Sequence, residues 1–146
     1  GEIQPGSFLF MDADYAANQR DSAQPLFEHA LYVKTQVMSL SSDHAVCDAG
    51  HKAHAIDSGL PRLHALAPEN ALRFANGGDE HGVLHPDADA GNHSGWLPAL
   101  GESLWLIPGH CDPTVNLHDH LIGVRGGRLK GVVERIFTVD GRGALT

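Results

Sequence analysis

Alternation of apolar and polar residues marks the longest patterned segment of the chain, residues 28–40. One side of this segment carries Leu31, Val33, Thr35 and Val37, and the other side carries Tyr32, Lys34, Gln36 and Met38. A period of two is typical of a β-strand that is buried on one face only. The pattern therefore predicts a long, half-buried strand.

Shorter apolar runs predict further strands at residues 7–11, 44–49, 71–75, 82–85, 103–107, 121–125 and 128–139. Gly126 and Gly127 separate the last two runs, as the primed turns of β-hairpins do. Helical signal is weak, with a turn or two expected in residues 12–24, capped by Asp12 or Asp14. Residues 86–99 are expected to form a surface loop. We predict a mostly β fold, a small barrel or sandwich, as a single domain over residues 1–146.

Composition excludes several classes of protein. Hydrophobic residues make up 42% of the chain, enough for a core, but no apolar run approaches the roughly 20 residues of a membrane span. The first ten residues lack the basic segment of a secretory signal. A formal net charge of −8 argues against nucleic-acid binding. Cys47, expected to be an inert core thiol, and Cys111 are too few for a disulfide framework, so we expect a cytoplasmic protein.

Residues 108–114, with the sequence PGHCDPT, contain the strongest candidate site. A residue before proline favours extended backbone, so His110 and Asp112 are expected to point the same way and Cys111 the other way. An imidazole beside a carboxylate could bind zinc, manganese, cobalt or iron rather than calcium. The alternative is a surface loop with a His–Asp hydrogen bond.

Other polar segments allow weaker hypotheses. His118 and His120 could chelate a metal from one strand face, or orient a neighbouring ligand, or be exposed. Glu80 and His81 lie between glycines and could serve as acid or base, or form a polar turn. Lys52 could form a Schiff base, although an exposed lysine at a strand end is the simpler interpretation.

Several segments taken in order resemble the C-terminal domain of D-threonine aldolases. They are residues 2–8, 10–15, 48–50, 79–82, 108–114 and 116–119, and the resemblance runs from about residue 2 to residue 140. It implies the metal-binding β-domain of an alanine-racemase-like (fold type III) PLP enzyme, whose N-terminal (β/α) barrel, absent from this chain, carries PLP. The implied metal ligands are His110 and Asp112. Related D-serine dehydratases have an H-x-C spacing, and Cys111 is out of phase with it, so the chain resembles the aldolases.

The resemblance also implies a reaction: D-β-hydroxy-α-amino acids are cleaved to glycine and an aldehyde. A divalent metal (Mn, Zn, Co or Mg) would lower the pKa of the substrate's β-hydroxyl, PLP would act as the electron sink, and Glu80 and His81 match a motif near the active site. Expected partners are the D-amino-acid substrate, the N-terminal barrel and a second copy in a homodimer. The chain alone is expected to be inactive. Alternatives are a D-serine or D-3-hydroxyaspartate dehydratase, or a non-catalytic metal-binding β-module.

Overall fold

The computed structural model describes residues 1–3, 6–64, 71–88, 95–127 and 130–144. Gln4 and Pro5 of the first family-like segment, residues 89–94 of the expected loop, and the first two residues of the expected strand 128–139 lie outside the described residues. The described part is mostly β. None of its helices is long and apolar enough to cross a membrane.

The regular elements are short. The helical elements are a 3₁₀ helix at Ser7–Leu9, α1 at Ala13–Ala16 and α2 at Cys111–Asn116. The strands are β1 Val33–Leu40, β2 Ala45–Cys47, β3 Arg62–Leu63, β4 Leu72–Asn76, β5 Gly82–Pro86, β6 Ser103–Ile107, β7 His120–Arg125 and β8 Val132–Thr138.

Six strands form one antiparallel sheet in the order β3-β6-β1-β2-β5-β4. The two edge strands, β3 and β4, approach each other. The sheet therefore curls into a nearly closed, barrel-like form. This is the mostly β, barrel-like class that the strand pattern predicts.

The inside of the barrel is the hydrophobic core. On β1, Val33, Thr35 and Val37 are buried while the residues between them are exposed, which confirms the alternation seen in the sequence. β1 begins at Val33 and not at residue 28. The residues packed inside are Val33, Val37, Ala45, Cys47, Ala49, Leu72, Phe74, Leu84, Leu104 and Leu106.

The predicted strand at residues 7–11 is wrong, because this segment contains a 3₁₀ helix. The carbonyl of Ser7 accepts the N–H groups of Phe10 (3.1 Å) and Met11 (2.8 Å), so the backbone bonds locally. Leu9 and Phe10 are exposed. An apolar run therefore does not mark a strand here, since its side chains face outward and its hydrogen bonds close within one turn.

β7 and β8 form a separate antiparallel ribbon. The predicted two-residue connection is wrong, because Arg125 pairs with Val132, so more than Gly126 and Gly127 lies between the two strands. Gly126 and Gly127 do have positive φ angles of 88° and 89°, a conformation that glycine adopts without strain. The glycine pair therefore marks the turn but not its length.

Candidate functional site

His110 lies where β6 leaves the barrel. β6 ends at Ile107, and His110 is the extended N-cap residue of α2 (φ −143°, ψ 126°). The preceding Gly109 is needed for packing, because a Cβ atom there would lie 2.2 Å from the carbonyl oxygen of Gly59. The absence of a side chain at Gly109 thus lets the turn of residues 56–59 close against the end of β6.

Asp112 is helical, so the expectation of an extended residue before Pro113 is wrong. Proline is tolerated in the first turn of a helix, where its missing N–H has no intrahelical partner to lose. The first turn of α2 still brings the two groups together: His110 Nε2 lies 3.6 Å from Asp112 Oδ2. The hydroxyl of Ser7 donates a hydrogen bond of 3.1 Å to that same carboxylate oxygen.

The buried carboxylate of Asp12 accepts hydrogen bonds from the N-terminal ends of both α1 and α2. Its Oδ1 accepts the N–H of Tyr15 at 2.9 Å, which makes Asp12 the cap of α1, one of the two predicted caps. Its Oδ2 accepts the N–H of Cys111, also at 2.9 Å. A carboxylate is well suited to this role because its two oxygens can each accept an N–H group that has no partner within its own helix.

Asp57 contacts the other ring nitrogen of His110, with 2.6 Å between Oδ2 and Nδ1. This hydrogen bond raises the pKa of His110, outweighing the effect of burial, and it lowers the pKa of Asp57. Sequence reasoning missed Asp57. Its neighbours Ser58 and Gly59 are typical turn residues, but its contact with His110 bridges 53 positions, and no local pattern predicts such a contact.

Residues 53–55 are anchored to α2 and to the segment after it. The hydroxyl of Thr114 donates to the carbonyl of His110 (2.7 Å) and accepts the N–H of Ala55 (3.1 Å). His118 Nε2 donates to the carbonyl of Ala53 at 2.8 Å. His118 is thus engaged with backbone, while His120 is exposed at the start of β7.

Glu80 and His81 are exposed on the segment that precedes β5. Glu80 Oε1 pairs with Lys52 Nζ at 2.8 Å, and this bond lowers the pKa of Glu80 and raises that of Lys52. Within the described residues, no hydrogen bond or ion pair joins Glu80 or His81 to His110 or Asp112. The structure gives Glu80 a partner in an exposed ion pair.

The cysteine between the two candidate ligands faces the interior. Cys111 is buried, and burial raises its pKa to about 12, so it remains a thiol at neutral pH. Cys47 is fully buried in β2, as expected of a core thiol. Across the described residues, no three or more His, Cys, Asp and Glu side chains are grouped so that they could hold a metal ion. The candidate site therefore offers two ligands, His110 and Asp112.

Comparison with known proteins places this chain in a family. A family model described as "Putative serine dehydratase domain" matches residues 30–124. The chain is 41% identical over 147 residues to 3-hydroxy-D-aspartate aldolase of Paracoccus denitrificans. It is 43% identical over 144 residues to D-threonine aldolase of an Arthrobacter species. Each alignment covers 97% of this chain and 34% of the relative, so the chain spans about a third of the length of these relatives.

Solved structures show the same fold. The crystal structure of D-threonine aldolase from Filomicrobium marinum matches with a TM-score of 0.84 and 45% identity, covering 98% of this chain and 36% of that one. An alanine-racemase-like protein from Idiomarina loihiensis matches 64% of this chain and 28% of its own, with a TM-score of 0.53 and 21% identity. The second likeness concerns the fold alone.

Proposed function

Since this chain belongs to the family of the "Putative serine dehydratase domain", we propose that it is the metal-binding C-terminal part of a lyase acting on D-β-hydroxy-α-amino acids. The reaction proposed for the complete enzyme is that of D-threonine aldolase, in which the substrate is cleaved to glycine and an aldehyde. Two relatives named as aldolases support this choice over other lyase reactions. The enzyme is proposed to act as a homodimer.

The observation that carries the proposal is the pairing of His110 and Asp112 at the start of α2. Their facing atoms, Nε2 and Oδ2, are 3.6 Å apart, and a divalent ion about 2.0–2.2 Å from each fits this spacing. Nδ1 of His110 already has a carboxylate partner, Asp57, as metal-ligating histidines commonly do. The donor set, one nitrogen and one oxygen, suits zinc, manganese or cobalt. The residues present therefore fit a metal ion.

The residues of this chain have defined tasks in such a site. His110 and Asp112 would hold the ion, and Ser7 restrains the Asp112 carboxylate through its hydrogen bond. Cys111 is kept away from the ion by burial. When bound, a metal with only two protein ligands supplies Lewis acidity to a substrate hydroxyl at its open positions.

The lysines of this chain do not fit PLP. A lysine that forms a Schiff base is normally desolvated so that its amine is neutral. Lys34, Lys52 and Lys130 are all exposed, and Lys52 is paired with Glu80. We therefore assign PLP to the two thirds of the relatives' length that this chain does not span.

The ribbon of β7 and β8 supports the role as part of a larger protein. Ile122 and Val124 share one face of β7, and their register partners Ile136 and Val133 lie opposite on β8. All four side chains, which we call the ribbon face, are exposed by 42% to 60%. A contiguous apolar face on a two-stranded ribbon is typical of a contact surface, since such ribbons are only marginally stable alone.

A dehydratase is the second candidate, favoured by the description of the matching family model. It would use the same metal ligands but release the hydroxyl as a leaving group. Products distinguish the two reactions, because an aldolase yields glycine and an aldehyde whereas a dehydratase yields a keto acid and ammonia. The assay requires a protein that also contains the PLP-binding part.

Metal content of the purified chain tests the site directly. After dialysis against Mn²⁺, Zn²⁺ or Co²⁺ and gel filtration, the wild-type chain is expected to retain about one ion, as expected of a single site. His110→Ala and Asp112→Ala should lose it, because either change leaves one protein ligand. Cys111→Ser should keep most of it. His44→Ala, at another histidine paired with an aspartate, is the control.

Two results would contradict the metal site. Retention of the ion by both His110→Ala and Asp112→Ala would place the ion elsewhere. An equal loss in Cys111→Ser would instead make the cysteine a ligand and contradict the assignment of the site to His110 and Asp112.

A further inference from the structure

Asp57 contributes a carboxylate to His110 from a turn that lies 53 residues earlier in the chain. We infer that Asp57 is a positioning residue, which holds the His110 imidazole so that Nε2 presents its lone pair toward Asp112 and the metal. This inference rests on the proposed metal site and adds a residue, Asp57, that orients one of its two ligands, His110.

The turn that carries Asp57 is built to reach His110. The N–H of Gly59 bonds to the carbonyl of Ile56 at 3.3 Å, which closes a four-residue turn with Asp57 at its second position. Gly59 has a φ of 109°, and its carbonyl lies against Gly109 so closely that a side chain at Gly109 would clash with it. These two glycines fix the turn against the residue that precedes His110.

The hydrogen bond selects one tautomer of His110. The carboxylate of Asp57 can only accept, so at 2.6 Å the proton of a neutral His110 lies on Nδ1. Nε2 then carries the lone pair, and Nε2 is the atom 3.6 Å from Asp112 Oδ2. The hydroxyl of Ser58, 3.4 Å from both Nδ1 and the Asp57 carboxylate, supports the same arrangement.

Loss of Asp57 should therefore weaken metal binding without removing a ligand. The side chain of His110 would be free to rotate and to place its proton on Nε2, where it competes with the ion. Removal of such carboxylate partners typically lowers metal affinity by about 10- to 100-fold. We expect about 10-fold for Asp57→Asn, whose carbonyl oxygen still accepts, and about 100-fold for Asp57→Ala.

The tautomer can be measured without any metal. In a ¹⁵N-labelled chain, at a pH where the His110 ring is neutral, long-range ¹H–¹⁵N spectra should show Nδ1 protonated and Nε2 unprotonated. Asp57→Asn should keep this pattern, while Asp57→Ala should shift the population toward protonation on Nε2. A purely structural role for Asp57 would not change these nitrogen shifts in a folded variant.

Metal affinity is measured by titrating the same chains with Co²⁺ and following the visible absorption. Asp43→Asn is the matched control, because Asp43 Oδ1 contacts Nδ1 of His44 at 2.8 Å in the connection between β1 and β2. This control should bind Co²⁺ like the wild-type chain. Circular dichroism verifies that each variant is folded, and Asp57→Leu, which is near-isosteric and also lacks an acceptor, replaces Asp57→Ala if that variant does not fold.

The results separate this inference from the proposed metal site. Wild-type affinity and tautomer in both Asp57 variants would overturn the inference. Weaker binding with an unchanged tautomer in Asp57→Ala would overturn it as well, since Asp57 would then act by another route. A wild-type chain that binds no Co²⁺ would refute the metal site instead, and the nitrogen spectra would still decide whether Asp57 positions His110.

Discussion

At the scale of single residues, His54 is a fully buried histidine packed edge-on against Phe74. Within the described part of the chain, its Nε2 has no hydrogen-bond partner. Burial lowers the pKa of His54 below its ordinary value of 6.5, and nearby His51 adds to this effect. A histidine that is kept neutral in the folded state makes folding sensitive to acid.

The sign of this dependence follows from proton binding. Below pH 6.5 the unfolded chain binds a proton at His54 that the folded chain does not, so the free energy of unfolding falls as the pH is lowered. Above this value both states are neutral and His54 contributes no pH dependence. We predict that His54→Gln is less stable overall, but that its free energy of unfolding, measured in urea, changes less between about pH 6.5 and pH 5.

His81→Gln is the control for loss of a histidine as such, because His81 is exposed. It should keep the slope of the wild-type chain over the same pH range. If the wild-type chain and His54→Gln lose stability in parallel as the pH falls, His54 does not cause the pH dependence of the free energy of unfolding.

At the scale of elements, α1 and α2 depend on the one carboxylate of Asp12. Asp12→Ala would remove the acceptor of a buried hydrogen bond from the N–H of Cys111 and of a partly buried one from the N–H of Tyr15. We expect a loss of about 2–4 kcal/mol in the free energy of unfolding, from one helix cap and one further hydrogen bond to a charged group. Urea denaturation followed by circular dichroism measures it.

Asp14→Ala is the matched control, since Asp14 is an exposed aspartate in the first turn of α1. Its loss should cost well under 1 kcal/mol, as is usual for exposed charges near a helix N-terminus. Because Asp12 also holds the start of α2, Asp12→Ala should further weaken metal retention, whereas Asp14→Ala should not. Equal stability of the two variants would contradict the bridging role of Asp12.

Elements could be predicted from the sequence where one physical effect dominates. The period-two pattern identifies β1 because one face of the strand is buried in the core, and β6 has the predicted bounds because Pro108 ends the apolar run. The pairing of His110 with Asp112 was also found from their spacing, although the backbone between them is helical. The local preference for extended backbone before Pro113 is overridden by the tertiary contacts of α2, such as the bond from Cys111 to Asp12.

Contacts between distant segments could not be predicted in this way. Asp57 meets His110, and Asp12 meets Cys111, across 53 and 99 positions. Glycine makes some of these contacts possible. Gly109, for example, is needed because two backbone segments approach each other closely there, and not because of its own backbone conformation. A single sequence shows where glycine stands but not which segment will lie against it.

At the scale of the whole molecule, the barrel and the ribbon differ in how they are stabilised. The barrel encloses core residues such as Leu84, Leu104 and Leu106, which are fully buried. The ribbon face of Ile122, Val124, Val133 and Ile136 is exposed, and the relatives are about three times as long as this chain. These two facts together support our proposal that this chain is part of a longer enzyme, with the ribbon face as a contact surface.

An exposed apolar face of this kind should make the chain associate with itself in solution. We predict concentration-dependent association in sedimentation equilibrium, and we predict that Val133→Lys with Ile136→Lys largely removes it, because charges oppose burial of the face. The double variant should remain folded, since substitutions at exposed sites usually change stability by about 0.5 kcal/mol or less. Met38→Lys with Leu40→Lys, at exposed apolar positions of β1, is the matched control and should associate like the wild-type chain. If the ribbon variant associates as strongly as the control, the ribbon face is not a contact surface. Only the greater length of the relatives would then support the proposal that this chain is part of a larger protein.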